Sequence, residues 1–109
     1  MSTAIEPGQL FNAADSIAYA DGAVVSKTIL KKSSGNITLF AFDAGEGLSE
    51  HTTPHEALVQ VLDGSVEITI GDQVHKLVAG QALILPDGVP HAVKAIEKFK
   101  MMLTMIKSQ

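Results

Sequence analysis

The chain has no cysteine. Disulfides, thiolate metal sites and cysteine nucleophiles are therefore excluded. Any metal would have to be held by imidazole and oxygen. Charge is sparse: 18% of residues are charged, the formal net charge is −4, and the lysines are scattered. Nucleic acid and anionic membrane surfaces need clustered cations, so the pattern argues against both as partners. No apolar run approaches the length of a membrane span. The first residues, MSTAIEPGQ, lack the basic region and apolar stretch of a secretory signal. A cytoplasmic location is the expectation that follows. Also missing are a glycine-rich phosphate loop, a nucleophile elbow, a zinc-protease helix and carboxylates paired at a defined spacing. No apolar stripe of helical period is present.

What is there reads as strand. With 109 residues, 46% of them apolar, the chain is long enough for one domain with one core. Residues 1–22 are expected to be an N-terminal tail and lead-in, with a short helical turn near Asn12–Asp15, and residues 23–109 a single barrel domain. Strands are expected at Val24–Lys31, Ile37–Phe42, Ala57–Leu62, Ser65–Ile70, Gln73–Val78, Ala82–Leu85, His91–Ala95 and Phe99–Ile106. Ser65–Ile70 alternates cleanly: Val66, Ile68 and Ile70 share one face, Glu67 and Thr69 the other. Ser33–Asn36 and Asp63-Gly64 carry hairpin signals, and Asp43–Glu50 reads as a glycine-bearing loop. Many short strands at regular spacing predict an all-β sandwich or barrel.

Two segments carry most of the remaining information. The first runs from Gly45 through His51, Thr53, His55, Glu56 and Ala57 to Gly64; the second runs from Gly80 through Pro86, Gly88 and His91 to Ala95. Their spacing resembles the paired motifs of the cupin family, G-x5-H-x-H-x3-E-x6-G and G-x5-P-x-G-x2-H-x3-N. The glycines, the proline and both outer histidines fall in place. The resemblance implies a small single-domain cupin: a double-stranded β-helix, or jelly-roll barrel, with a pocket at one mouth. In metal-binding cupins, histidines and a carboxylate of the first motif and one histidine of the second hold a divalent ion. Here the positions of the second histidine and the glutamate are Thr53 and Ala57. Only His51 and His91 match.

Those residues leave three functions open. The first is a small-molecule-binding barrel, with His51, Thr53 and His91 contacting the ligand and Val59, Val61, Ile68 and methionines lining the pocket. The second is a metal-dependent enzyme of oxygenase, isomerase or decarboxylase type acting on a small acid or a sugar-like substrate. There a divalent transition metal (Zn, Mn, Fe, Ni or Cu) would sit on His51 and His91, with His55 or Glu56 completing the shell. The third is a metal-free acid–base enzyme using one histidine as proton carrier. His75 reads as a partly buried non-ligand, Asp87 as a turn residue, and Gly64, Gly80 and Gly88 as backbone residues at turns. Val24–Lys31 is apolar on both parities, more than one barrel face requires, which predicts a homodimer.

Overall fold

The computed structural model describes residues 5–107. One short 3-10 turn, Ala14–Ser16, precedes nine strands: β1 Val24–Lys32, β2 Gly35–Phe42, β3 Gly47–His51, β4 Glu56–Asp63, β5 Ser65–Ile70, β6 Gln73–Val78, β7 Ala82–Leu85, β8 His91–Ala95 and β9 Phe99–Ile106. They form two sheets, β1-β2-β9-β4-β7 and β3-β8-β5-β6, and every pairing is antiparallel. This is the jelly-roll barrel expected from the sequence. No helix among the described residues is long and apolar enough to cross a membrane.

Three local expectations change. The β1–β2 hairpin turns on Ser33 and Ser34 alone, because Gly35 pairs with Lys32 on one side and Ile106 on the other. The expected loop after Asp43 contains a strand, β3. Its sequence, GLSEH, has no β-branched or aromatic residue, so propensity does not announce it; its pairing with β8 makes it a strand. Asp63-Gly64 is not a hairpin either. The strand before it pairs only with β7 and β9, and the strand after it only with β6 and β8. Gly64 is therefore a corner where the chain crosses from one sheet to the other. Its φ is +74°, and a Cβ there would lie 1.9 Å from the Lys98 carbonyl oxygen. A hairpin and a corner both ask for positive φ, which is why the dipeptide signals either.

Side-chain alternation builds two apolar clusters. Inward residues of both sheets, among them Phe42, Val59, Val61, Val66, Ile68, Phe99 and Met101, form the main core. Phe42 and Phe99 stack at 4.5 Å and 16°, an arrangement that adds about 1 kcal/mol to simple burial. Behind the larger sheet, Leu39 and Ala41 of β2 are covered by Ile17, with Tyr19, Val25, Ile29 and Met102 packed alongside. The lead-in segment is fastened there. The Tyr19 hydroxyl donates to Asp63 at 2.6 Å, and the Lys100 ammonium donates to the Ala14 carbonyl at 2.6 Å. Burial, then the Asp63 carboxylate, push the Tyr19 pKa well above the ordinary phenol value. The second parity of β1 thus has an intramolecular explanation: Val24 faces the main core, while Val25 and Ile29 lie under the lead-in.

The inward faces are buried at one end and partly exposed at the other. Along β9, Phe99 and Met101 are buried, but Leu103 and Met105 are only half-buried. Along β2 the change runs from buried Phe42 to half-buried Phe40, Thr38 and Asn36, and along β5 from buried Val66 and Ile68 to half-buried Ile70. The register puts Asn36 opposite Met105 and Met105 opposite Ala57, so the half-buried ends of β2 and β9 lie side by side next to the start of β4.

The Gly64 corner generates a stability prediction. Gly64→Ala meets both a positive φ and the Lys98 carbonyl, and is expected to cost about 3 kcal/mol in urea unfolding. Gly71→Ala, at φ +60° with nothing within 4 Å of the new Cβ, is expected to cost about 1 kcal/mol. Equal losses would show that the carbonyl approach is not what requires glycine at 64.

Candidate functional site

The open end is defined by the meeting of β3 and β8. Leu48 lies opposite Val93 and His51 opposite His91. Three steps along β3 therefore match two along β8, so β3 carries one extra residue, a β-bulge. Without it Glu50 would face His91. Bulges of this kind re-aim a side chain, and here the result is two imidazoles on one face. Their ring centroids are 4.3 Å apart and the planes meet at 67°, edge to face. On its other side His91 is opposite Ile70 of β5.

Three connections at this mouth are tied together. The Gly88 N–H donates to the Thr53 carbonyl at 2.8 Å, and the Gly71 N–H donates to the Pro90 carbonyl at 2.8 Å. Gly88 sits at φ +70°, so Pro86-Asp87-Gly88 can curl back without steric cost. The Thr53 hydroxyl donates to the His55 carbonyl at 2.9 Å and bridges Pro54. The turn signals in the sequence thus hold the mouth in shape.

Each imidazole is oriented by a backbone carbonyl. Nδ1 of His51 lies 2.9 Å from the Ser49 oxygen, and Nδ1 of His91 lies 3.4 Å from the Val89 oxygen. A carbonyl oxygen only accepts, so Nδ1 carries the proton in the neutral ring and Nε2 keeps its lone pair. Neither Nε2 has a partner among the described residues. His91 is only 4% exposed, yet no buried side-chain nitrogen or oxygen among the described residues lacks a hydrogen-bond partner. The accessible part of His91 therefore includes Nε2. It is a deep acceptor that something entering the mouth can touch. Burial presses the His91 pKa below the ordinary imidazole value; the hydrogen bond to the Val89 carbonyl opposes it, and the neighbouring His51 adds a smaller downward push.

The other candidates are placed differently. Val59 and Ile68 have no accessible surface and Val61 has 2%. A side chain bordering a water-sized space would show some, so these three are packed core and not pocket lining. The inward residues with surface at this end are Phe40, Ile70, Leu103 and Met105. Alternation gives the face of a residue but not its depth, so the sequence could not separate Val59, Val61 and Ile68 from Met105, the one candidate that lies at this end. Of the other methionines, Met101 is in the core and Met102 is in the cluster behind the larger sheet. His75, half-buried on β6 opposite Ile68, stands apart from the pair.

The donor set does not fit a resident metal. Among the described residues no three histidine, aspartate or glutamate side chains come together. Ala57 is buried where a carboxylate ligand would be needed. The Thr53 hydroxyl is engaged with a carbonyl. Glu56 shares the parity of Leu58, and with Ile84 and Ile106 it borders a groove on the outer face of the larger sheet. His55 is half-buried in the β3–β4 loop. The help expected from His55 or Glu56 therefore does not arrive: the outward start of β4 turns Glu56 away from the pair.

Known proteins resemble the chain throughout. The family model described as Cupin domain matches residues 38–107. Protein SchB of Streptomyces halstedii is 34% identical over 70 residues, covering 63% of this chain; the chain spans about half of that protein, 51% of its length. A conserved protein of unknown function from Streptococcus pyogenes superposes with a TM-score of 0.91 at 31% identity, covering 100% of this chain and 97% of that one. A cupin 2 conserved barrel domain protein from Leptotrichia buccalis gives 0.86 at 37% identity, over 89% of this chain and 47% of that one.

The depressed His91 pKa has a measurable consequence. Between the folded pKa and the unfolded value of about 6.5, the unfolded chain binds more protons, so stability rises with pH. Unfolding free energy should fall as pH drops below about 6.5, and His91→Gln should flatten that part of the profile. An unchanged profile in His91→Gln would mean that burial of this ring is not being felt.

Proposed function

The chain belongs to the cupin family, and on that premise we propose that it is a small-molecule-binding barrel whose ligand enters the open end and is anchored by His51 and His91. The observation that carries this reading is the accessible Nε2 of an otherwise buried His91, in edge contact with a second imidazole. Pockets commonly combine an apolar wall with a few convergent polar groups. Here Phe40, Leu103, Met105 and Ile70 supply the wall, the two imidazoles the fixed polar contacts, and Thr53 the loop at the rim. The metal-dependent enzyme reading needs a third ligand and has none among the described residues.

A second observation supports a homodimer. The outer face of the larger sheet extends past the lead-in segment, whose Glu6, Pro7 and Phe11 border Leu30 and Ile37. Leu30 and Ile37 at one end, Thr104 and Ile106 in the middle, and Leu58 and Ile84 at the other form a continuous apolar trough. Leu30, Ile84 and Ile106 are well exposed. Lys32 borders one end and Glu56 the other. A two-fold axis through the middle of the trough would bring Lys32 of each copy to Glu56 of the other while covering the apolar strip. That is the self-complementarity an isologous interface requires.

Two experiments test these readings. In a fragment screen followed by calorimetry, binders should lose at least about tenfold in affinity with His51→Ala or His91→Ala, the loss expected for one buried hydrogen bond. Binders indifferent to both changes would place the pocket elsewhere. In light scattering the chain should run at twice its 11.5 kDa mass, and Ile106→Glu should return it to one. A single-chain mass for the unchanged protein would contradict the dimer.

A further inference from the structure

We infer that the ligand of this mouth is an uncharged, hydroxyl-bearing molecule, with adjacent hydroxyls donating to the two imidazoles, and not a carboxylate or phosphate. The inference rests on the pocket reading above and narrows it to a chemical class. Its basis is the polarity of the groups on offer. With Nδ1–H of each ring directed to its own backbone carbonyl, each Nε2 is an acceptor. An ionised acid has no proton to give, so two acceptors facing it would repel it. A hydroxyl donates to Nε2 directly, and two neighbouring hydroxyls can serve two rings whose centroids are 4.3 Å apart.

No fixed cation reverses that preference. The chain contains no arginine, the side chain best suited to grip carboxylate and phosphate. Three of its lysines are engaged elsewhere. Lys98 and Lys100 lie over the Tyr19 ring behind the larger sheet, and Lys76 faces Glu67 on the outside of the smaller one. Two lysines stand toward the opening, Lys31 in β1 and Lys107 two residues beyond Met105, and Lys107 is exposed. Lys31 sits opposite Asn36 near the tip of the β1–β2 hairpin and is exposed. The residues flanking the mouth are acidic if anything, with Glu50 in β3 and Asp87 in the turn tied to Thr53. On the facing sheet the polar inward groups are neutral: the Thr28 and Thr38 hydroxyls lie 3.1 Å apart, and Thr38 donates to the Asn36 side-chain oxygen at 3.5 Å. Neutral donors and acceptors beside an apolar wall suit a ring or chain carrying hydroxyls.

The test uses nitrogen-15 labelled full-length protein, long-range proton–nitrogen correlation of the histidine rings, and two probes of similar size at neutral pH. Catechol is an uncharged adjacent diol; benzoate is an ionised acid. The free protein should show unprotonated Nε2 in both His51 and His91. Catechol should shift both Nε2 resonances, benzoate neither, and Lys31→Ala should leave the catechol response unchanged. A response to benzoate alone, or one abolished by Lys31→Ala, would overturn the ligand class while leaving the pocket in place. Protonated Nε2 in the free rings would overturn it too, by making them donors. No response of either ring to either probe would overturn the class and count against the pocket itself.

Discussion

One residue more in β3 than in β8, between Leu48 and His51, brings the two imidazoles face to edge. The site depends on that register. A regular ladder would set a glutamate opposite His91 and carry the His51 ring to the other face of the sheet. The bulge also decides what can be offered to a ligand. It pairs one deeply buried ring with one exposed ring, and each spends its Nδ1–H on a backbone carbonyl two residues before it. What remains for a visitor is a pair of lone pairs. The chemistry of the mouth follows from hydrogen-bond accounting at four nitrogen atoms.

The rest of the barrel keeps that pair in place. At the far end the stacked Phe42 and Phe99 rings, with Val61, Val66 and Met101, leave almost no accessible surface. Gly64 carries the chain from one sheet to the other against the Lys98 carbonyl. The lead-in segment closes over Leu39 and Ala41 through Ile17 and the Tyr19–Asp63 hydrogen bond. A closed-packed end resists deformation, so the opening at the other end is a consequence of which inward positions hold large side chains. Toward the mouth the inward positions mix the small or polar Asn36, Thr38 and Ala57 with the larger Phe40, Ile70, Leu103 and Met105.

Much of this was legible in the residues alone. Alternation in β4 and β5 fixed which side chains face inward, and the spacing of Gly45, His51, Gly64, Gly80, Pro86 and His91 placed the two imidazoles in one family motif. The same comparison showed Thr53 and Ala57 where ligands would stand. Depth was not legible: Val59 and Ile68 share a face with residues at the mouth but lie beneath them. Nor was β3, whose GLSEH sequence becomes a strand only through its partner. The direction of Glu56 was hidden because Pro54 breaks the regular alternation, and the bend it introduces has no fixed reading in sequence. The corner at Gly64 was mistaken for a hairpin because both demand the same backbone conformation.

The central claim is that two oriented imidazoles form a ligand-binding pair without enough donors for a resident metal. Elemental analysis of tag-free protein, incubated with Zn, Mn, Fe, Ni and Cu ions and then desalted, tests it most directly, with His51→Ala run alongside. The account predicts far less than one metal per chain in both proteins. Near-stoichiometric metal in the unchanged protein, lost in His51→Ala, would contradict it and show that a ligand is recruited from outside the pair.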